Sequence, residues 1–364
     1  MERNGVVLAT DLDKFLNDLL LRAGFNSQEC SAIASSLMLS ERLGYSSHGV
    51  AQILRYIAEL NAGGIVSGAA WEILSETPAN ISVDAQVGVG QVVMPRLLKT
   101  LYAKASNQAV VSGTVRNCGH IGRLGEWVEE PANAGYAALL MVNDNGCNFI
   151  VSPPGGKRGV TSTNPIAFSL PVSNSDIFLI DMSTSAIAYG KADRAKRMGM
   201  EVPEDCIQDA EGRATTNPDV LFESPNGYIR PMGGAQGYKG FAISMLVDLL
   251  VAGLSGGQAP PAAPGTKGEN CVVMVIWNLE FYAGIEHMRN EAAKYLSFVR
   301  ACQPIDELNP IRIPGDRTNA ARKRHADSKW LAISEDIVSE LLRMSALLSV
   351  AAPRFHSTSS EASP

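Results

Sequence analysis

Two histidines stand where side chains could do proton chemistry. His48 closes the stretch Ser46-Ser47-His48-Gly49-Val50, and His120 sits in Cys118-Gly119-His120-Ile121-Gly122. The chain has five histidines, and these two are the ones in glycine-containing, non-periodic settings. Imidazole has an unperturbed pKa near neutrality, so it both gives and takes a proton there. Ser47 puts a hydroxyl beside the first ring. A histidine in such a place also serves as a helix cap or satisfies a buried carbonyl, and the motif alone leaves both readings open.

Three further turns carry polar residues. Gly233-Gly234-Ala235-Gln236-Gly237-Tyr238-Lys239-Gly240 offers close backbone approach and a lysine at a helix start, which suits a phosphate or another anion. It lacks the GK[ST] ending of a Walker loop and is not the GxGxxG fingerprint of a Rossmann unit, so a plain glycine-rich turn with a surface lysine is the competing reading. Asp181-Met182-Ser183 ends an expected strand, where a carboxylate could accept ribose hydroxyls or cap the next helix. Thr163-Asn164-Pro165 either orients a small polar ligand or makes a turn before a strand.

The elements that must position these residues follow from periodicity. Thr10 is placed to cap a first helix whose Leu12, Phe15, Leu16, Leu19 and Leu20 share a face, with Gly24 as its end. A second helix opens at Ser27 and runs to Gly44. Val50, Ile53, Leu54, Ile57 and Leu60 mark a third, stopped by Gly63-Gly64. His48 therefore falls at a helix start, where free N–H groups would favour a bound carboxylate. From Trp71 short strand-like runs alternate with helices. Strands are expected over residues 80–83, 109–115, 136–142, 165–172, 177–182 and 272–276, and helices over 91–105, 123–134, from Ser183 to Gly199, from Phe241, over 281–302, and from Ser334 to about 348. Interleaving of both kinds makes the class α/β. Residues 255–268 read as a mobile Gly/Pro/Ala loop, and the tail from Ala351 as disordered.

At 364 residues the chain can bury a large core and is expected to divide into two domains. A net charge of −6, with Arg322-Lys323-Arg324 as the most basic patch, argues against a nucleic-acid surface. Six cysteines without a CxxC pair point neither to zinc nor to a disulfide framework. The apolar run 241–254 is short for a bilayer and carries Asp248. With no signal-peptide pattern at the start, a cytoplasmic protein with reduced thiols, and no membrane partner, is expected.

Taken in order, the motifs carry a resemblance. They are Ser47-His48-Gly49-Val50 with Tyr56, Gly119-His120-Ile121-Gly122 with Gly125, Gly155-Gly156 before Thr163-Asn164-Pro165, Asp181-Met182-Ser183-Thr184-Ser185 with Gly190-Lys191, Gly237-Tyr238-Lys239-Gly240 and Pro314-Gly315. Over residues 8–345 the chain resembles the type-2 malate/L-lactate dehydrogenase family, which includes ureidoglycolate and sulfolactate dehydrogenases, diketogulonate reductase and cyclic imine reductases. The resemblance implies a non-Rossmann nicotinamide-binding domain around a largely antiparallel or mixed sheet. It also implies a helical domain formed by both chain ends, here 1–70 and 300–350 against 71–299, and a homodimer. Its cofactor would be NAD or NADP and its substrate a small molecule. His48 would be the acid/base, with Ser47 as relay. In part of the family the histidine matching His120 has that role instead. Thr163 would touch the substrate, as would Arg55 and the residue at position 52. His120, Ile121, Gly122, Arg123, Leu124, Asp144, Asp181, Met182 and Ser183 would contact the cofactor. Lys191 and Lys239 would lie over substrate or phosphates, and Gly315, Asp316 and Arg317 would close over the adenosine part. No metal is required.

One departure bears on the substrate. The family usually has an arginine four residues after the histidine, to pair bidentately with a carboxylate; here it is Gln52. Glutamine hydrogen-bonds but supplies no charged fork. Arg55 and Arg123 are the cations placed to compensate. Ile207 replaces a usual tryptophan, and Lys329-Trp330 a glycine-isoleucine pair. Two other classes compete: a nucleotide binder that has lost catalysis, and a metal hydrolase using His48 and His120, which lacks a third ligand at metal spacing.

Overall fold

The computed structural model describes residues 4–173, 176–325 and 328–357. The chain runs β1 (Asn4–Leu8), α1 (Ala9–Ala23), α2 (Ser27–Arg42), a 3-10 turn at Ser46–His48, then α3 (Gln52–Asn61). β2 (Glu72–Glu76), β3 (Asn80–Asp84), α4 (Gly90–Ala105), β4 (Val110–Cys118), α5 (Leu124–Asn133), β5 (Tyr136–Asn143), β6 (Ile166–Pro171) and β7 (Ile177–Met182) follow. α6 (Tyr189–Arg197) leads into three short strands, β8 (Ile207–Gln208), β9 (Ala214–Thr215) and β10 (Tyr228–Ile229). The remainder is α7 (Tyr238–Ser255), β11 (Asn270–Asn278), α8 (Ile285–Arg300), α9 (Asp316–His325), β12 (Trp330–Ser334), α10 (Glu335–Leu348) and β13 (His356–Ser357).

The main sheet has the order β2-β3-β4-β11-β5-β6-β7. Within it β3 and β4 pair in parallel and every other neighbouring pair is antiparallel, so this α/β chain is built on a mixed sheet. β5 and β11 lie inside this sheet and are covered on both faces. Leu140, Val142, Val272, Met274 and Ile276 enter the core under α4 and α5, while Met141, Cys271 and Val273 pack against Val247 and Val251 of α7. That two-sided burial explains why β5 reads as a continuous apolar run rather than an alternating one. Each such aliphatic side chain contributes about 1.5–3 kcal/mol by leaving water.

Both chain ends share a second core. Leu12, Leu16, Leu19 and Leu20 of α1 pack with Ile33 and Leu37 of α2, Ile53 of α3, and Leu331, Ile333 and Leu341 near the C-terminus. This assembly is not purely helical. β1 pairs antiparallel with β12 on one side and β13 on the other. β13 also corrects the expectation of a disordered tail from Ala351; residues 358–364 lie outside the described ones.

Several starts differ from the periodicity reading. α1 begins at Ala9, with no side-chain cap from Thr10, because β1 feeds straight into it and the Ala9 N–H donates to the Lys329 carbonyl at 2.8 Å. Ser183 does not open a helix: Thr184 N–H donates to the Thr163 carbonyl and Met232 N–H to the Thr184 carbonyl, both at 2.9 Å, so the backbone is held as a ladder until Tyr189. The long helix expected over 281–302 is a 3-10 turn followed by α8. The 255–268 segment is fastened: Gln258 N–H donates to Asn145 Oδ1 at 2.8 Å and Ala262 N–H to the Gly146 carbonyl at 3.1 Å.

α7 has the length and composition of a membrane-crossing helix. Its one acidic residue, Asp248, is buried and accepts hydrogen bonds from Thr161 Oγ1 and Asn164 Nδ2, both 2.6 Å, and Asn143 Nδ2 at 3.1 Å. The opposite face exposes Met245, Leu246, Leu249, Leu250 and Leu254.

Candidate active site

His48 ends the 3-10 turn between α2 and α3. Glu41, from the end of α2, fastens that turn by accepting the Val50 N–H at 2.9 Å. A Cβ on Gly49 would stand 2.0 Å from Glu41 Oε2, so a larger residue there would push the Glu41 carboxylate off the turn. Gln52 grips the turn from the other side, its Nε2 donating to the Ser47 carbonyl at 2.7 Å. Ser47 Oγ lies 3.1 Å from His48 Nδ1.

His120 arrives from the end of β4. Its Nδ1 is 2.9 Å from the Tyr56 hydroxyl, which also receives Gln91 Nε2 at 2.9 Å. Gly122 holds a left-handed φ of 76°, which turns the chain into α5 and swings Arg123 into the protein. The imidazole rings of His48 and His120 stack with centroids 6.0 Å apart. Burial lowers the pKa of both. His48 is pushed from 6.5 down to about 4, by burial first and then by the positive charges of Arg123, Arg55 and Lys191. His120 falls well below its usual value through burial, Arg55 and His48. Both rings are therefore neutral at pH 7 and able to accept a proton.

His48 stands between two cavities. The larger, about 640 Å³, is lined by Tyr45, Ser47, Arg123, Leu124, Asp181, Met182, Ser183 and Lys191 among others. The smaller, about 190 Å³, is lined by Arg55, His120, Gly122, Asp144, Asn148, Asn164 and Asn270 among others. His48, Leu124, Thr163 and Pro165 belong to both.

Among the described residues Arg123 is the largest fully buried side chain. Its Nη1 donates to Glu129 at 2.9 Å and lies 3.6 Å from Asp181, while its carbon sits 4.8 Å from the Tyr45 ring centre. Burial disfavours its charge, but Glu129 and Asp181 outweigh that and hold the pKa above the usual value. Among the described residues Nε and Nη2 have no partner, although buried guanidinium donors normally do. Asp181 accepts the Gly125 N–H at 2.9 Å, and burial raises its pKa against the pull of Arg123.

Some expected residues fall elsewhere. Gln52 lines neither cavity, because its amide N–H is directed at the Ser47 carbonyl, and its Oε1 is buried without a partner among the described residues. Ile121 is fully buried as a structural pivot: its N–H donates to Asn270 Oδ1 and its carbonyl accepts from Trp127 Nε1. Lys239 is exposed on α7, 5.8 Å from the Tyr238 ring centre, and reaches no cavity described here. Gly315 packs against Leu179 of β7. Asp316 and Arg317 line a third, basic cavity of about 540 Å³ with Arg42, Arg312, Arg324 and His325. A Tyr45–Thr318 hydroxyl contact of 2.7 Å links the region next to Arg317 with the larger cleft. Arg55 does reach the smaller cavity, but its Nε is paired with Glu59 at 2.6 Å.

Sequence reasoning missed Tyr45, Gln91 and the Asp248 network that anchors Asn143 and Asn164. A solitary aspartate in an apolar run was the available signal for the last, since buried charges seek partners.

The chain matches the family model for malate/L-lactate dehydrogenase over residues 7–342. It is 31% identical over 335 residues to the Δ1-pyrroline-2-carboxylate/Δ1-piperideine-2-carboxylate reductase of Pseudomonas putida, covering 90% of this chain and 93% of that protein. It is 31% identical over 314 residues to the (2R)-3-sulfolactate dehydrogenase (NADP+) of Chromohalobacter salexigens, covering 86% and 90%. Among solved structures, sulfolactate dehydrogenase from Methanocaldococcus jannaschii superposes with a TM-score of 0.81 at 26% identity, over 95% of this chain and 98% of that one. A match along nearly the whole chain, in sequence and in fold, makes this protein a member of the malate/L-lactate dehydrogenase family.

Proposed function

We propose that this protein is an NAD(P)-dependent oxidoreductase that moves a hydride between nicotinamide and carbon 2 of a 2-hydroxy or 2-oxo acid, with His48 as acid/base. The observation that carries the reading is the place of His48, a neutral imidazole on the boundary between a cleft and a small polar cavity.

The larger cleft fits a dinucleotide. Its volume suits an extended ligand, and the two unpartnered guanidinium nitrogens of Arg123 are donors suited to phosphate or carboxamide oxygens. Arg123, Leu124, Asp181, Met182 and Ser183 would hold the cofactor in a site other than a GxGxxG turn. Asp316 and Arg317, in the basic cavity beyond Tyr45, would take the adenosine end. Bound nicotinamide supplies the hydride donor or acceptor. In oxidation His48 takes the proton of the 2-hydroxyl, and the Ser47 hydroxyl at Nδ1 steadies the ring. In reduction the same imidazole, protonated, returns that proton. Thr163, Arg55 and His120 would position the substrate in the smaller cavity, with Lys191 at the cleft side.

A cyclic imino acid is the second substrate class, and the displacement of Gln52 favours it. Arg55 is the one Lys or Arg among the residues lining the smaller cavity, and Asn164, another of them, has an Oδ1 without a partner among the described residues. Such a site suits the protonated, N–H-bearing iminium form of a cyclic imino acid better than a small 2-oxo acid that demands a bidentate arginine. The exposed apolar face of α7 supports association with a second copy, and six free cysteines fit a reducing cytoplasm.

The test is oxidation of NADH and NADPH with a panel of 2-oxo acids and cyclic imino acids. Turnover with at least one member is expected. Cofactor binding without turnover on any of them would instead favour a binding protein that has lost catalysis.

A further inference from the structure

Positioning the substrate does not by itself say which ring nitrogen His120 presents or in what form. The surroundings of His120 are more specific than a stacking partner needs. Tyr56 and Gln91 are both buried, 1% and 3% exposed, and they form a chain of two hydrogen bonds ending on its ring. A phenol has one hydrogen to give. Gln91 Nε2 already donates to the Tyr56 oxygen at 2.9 Å, so that hydrogen must find an acceptor elsewhere. His120 Nδ1, at 2.9 Å, is the acceptor that the described residues place there. Were Nδ1 protonated, two N–H groups would converge on the phenol oxygen and its own hydrogen would be buried unpaired.

We propose that Gln91 and Tyr56 lock His120 in its Nε2–H tautomer, making His120 a fixed neutral hydrogen-bond donor to the substrate oxygen on carbon 2. Gln91 and Tyr56 are positioning residues in this scheme. Nε2 is the ring nitrogen left for a ligand, and His120 lines the smaller cavity with Thr163 and Arg55. Burial keeps the ring neutral, so it donates without giving up its proton. His48 is set up differently. Its Nδ1 meets a serine hydroxyl, which donates or accepts equally well, so either tautomer is allowed and a proton can come and go. The two stacked rings thus divide the work, one exchanging a proton and the other polarising the oxygen. The lock stands on geometry alone; the donor role rests on the oxidoreductase reading.

Nitrogen-15 NMR of the cofactor-free protein, labelled at its five histidines, tests the lock directly. His120→Gln identifies the signal. A single Nε2–H tautomer at neutral pH is expected, and an Nδ1–H tautomer or a mixture would overturn the proposal. Tyr56→Phe should give a mixture and lower kcat about tenfold or more, with the cofactor KM unchanged. Gln91→Met, at the far end of the chain, should do the same more weakly and covers the case in which Tyr56→Phe fails to fold. Mixed tautomers with full kcat would overturn the donor role. A wild type that turns over no substrate would sink the oxidoreductase reading while leaving the tautomer result to stand.

Discussion

The His48 and His120 rings lie nearly parallel, 17° between planes, with centroids 6.0 Å apart. They come from distant parts of the chain, one from a 3-10 turn before α3 and the other from the end of β4. Stacking brings two imidazoles to the same small cavity while each keeps its own partner at Nδ1, Ser47 for one and Tyr56 for the other.

His48→Ala should lower kcat by about 10²–10⁴, the contribution of a positioned acid/base. The melting temperature at neutral pH should move little, because there the ring is largely neutral in both the folded and the unfolded chain. Steady-state kinetics and thermal denaturation of the same preparation check both halves. Near-full kcat would move the proton-transfer role to His120.

The depressed pKa of His48 makes stability depend on pH. With the folded value at about 4 and the usual value at 6.5, the unfolded chain binds more protons between those limits. This contribution is fully favourable above pH 6.5 and is lost as pH falls toward 4. His120 acts in the same direction. Buried Asp181, Asp144 and Glu41, whose pKa values burial raises, act oppositely, so the informative quantity is a difference. Urea unfolding of wild type and His48→Gln at pH 7 and near 4.5 should show the wild type losing more stability on acidification. Equal losses would contradict the depressed value.

Asp248 should be among the most sensitive positions on α7. Asp248→Leu strands the Thr161, Asn164 and Asn143 donors that now converge on its carboxylate. An expected cost of about 3 kcal/mol or more would appear in chemical denaturation, since several buried donors lose their acceptor at once. Asp248→Asn, which keeps one acceptor oxygen, should cost less. Wild-type stability in the leucine variant would mean that water replaces the carboxylate.

Gln52 supplies a prediction about substrate. Wild type should prefer cyclic imino acids or larger 2-oxo acids over pyruvate and oxaloacetate, and Gln52→Arg should raise activity on the small 2-oxo acids. A wild type already best on pyruvate or oxaloacetate, and not improved by the arginine, would contradict this.

The exposed leucines of α7, Leu249 at 63% and Leu254 at 55%, mark the face where a second copy would sit. Leu249→Glu with Leu246→Glu should convert a dimer to a monomer in sedimentation velocity. A wild type that sediments as a monomer would rule out that use of the face.

Local signals made much of this legible. The apolar faces of α1 and α3, the strand β5 and the glycine-flanked histidines were readable because helical spacing, apolar runs and turn glycines are properties of short windows. What escaped reading depends on partners far along the chain. β1 pairs with β12 more than 300 residues later, and no window contains both. Thr184 and Ser185 look like a helix start until their backbone is seen tied to Thr163 and Pro231. Gln52 looks like a substrate contact by position, and only the fold shows its amide turned back onto Ser47. Lys239 is hard to place for the same reason: a lysine at a helix start faces whatever the helix faces, and in the single chain α7 leaves it exposed.

The central claim is direct hydride transfer with His48 handling the proton. The sharpest measurement follows deuterium from nicotinamide labelled at C4 into the product of the best substrate, with wild type and His48→Ala side by side. The account predicts that wild type places the label on carbon 2 from one face of the nicotinamide only, and that the variant does so far more slowly. Product formed without label on carbon 2, or a variant as fast as wild type, would contradict it.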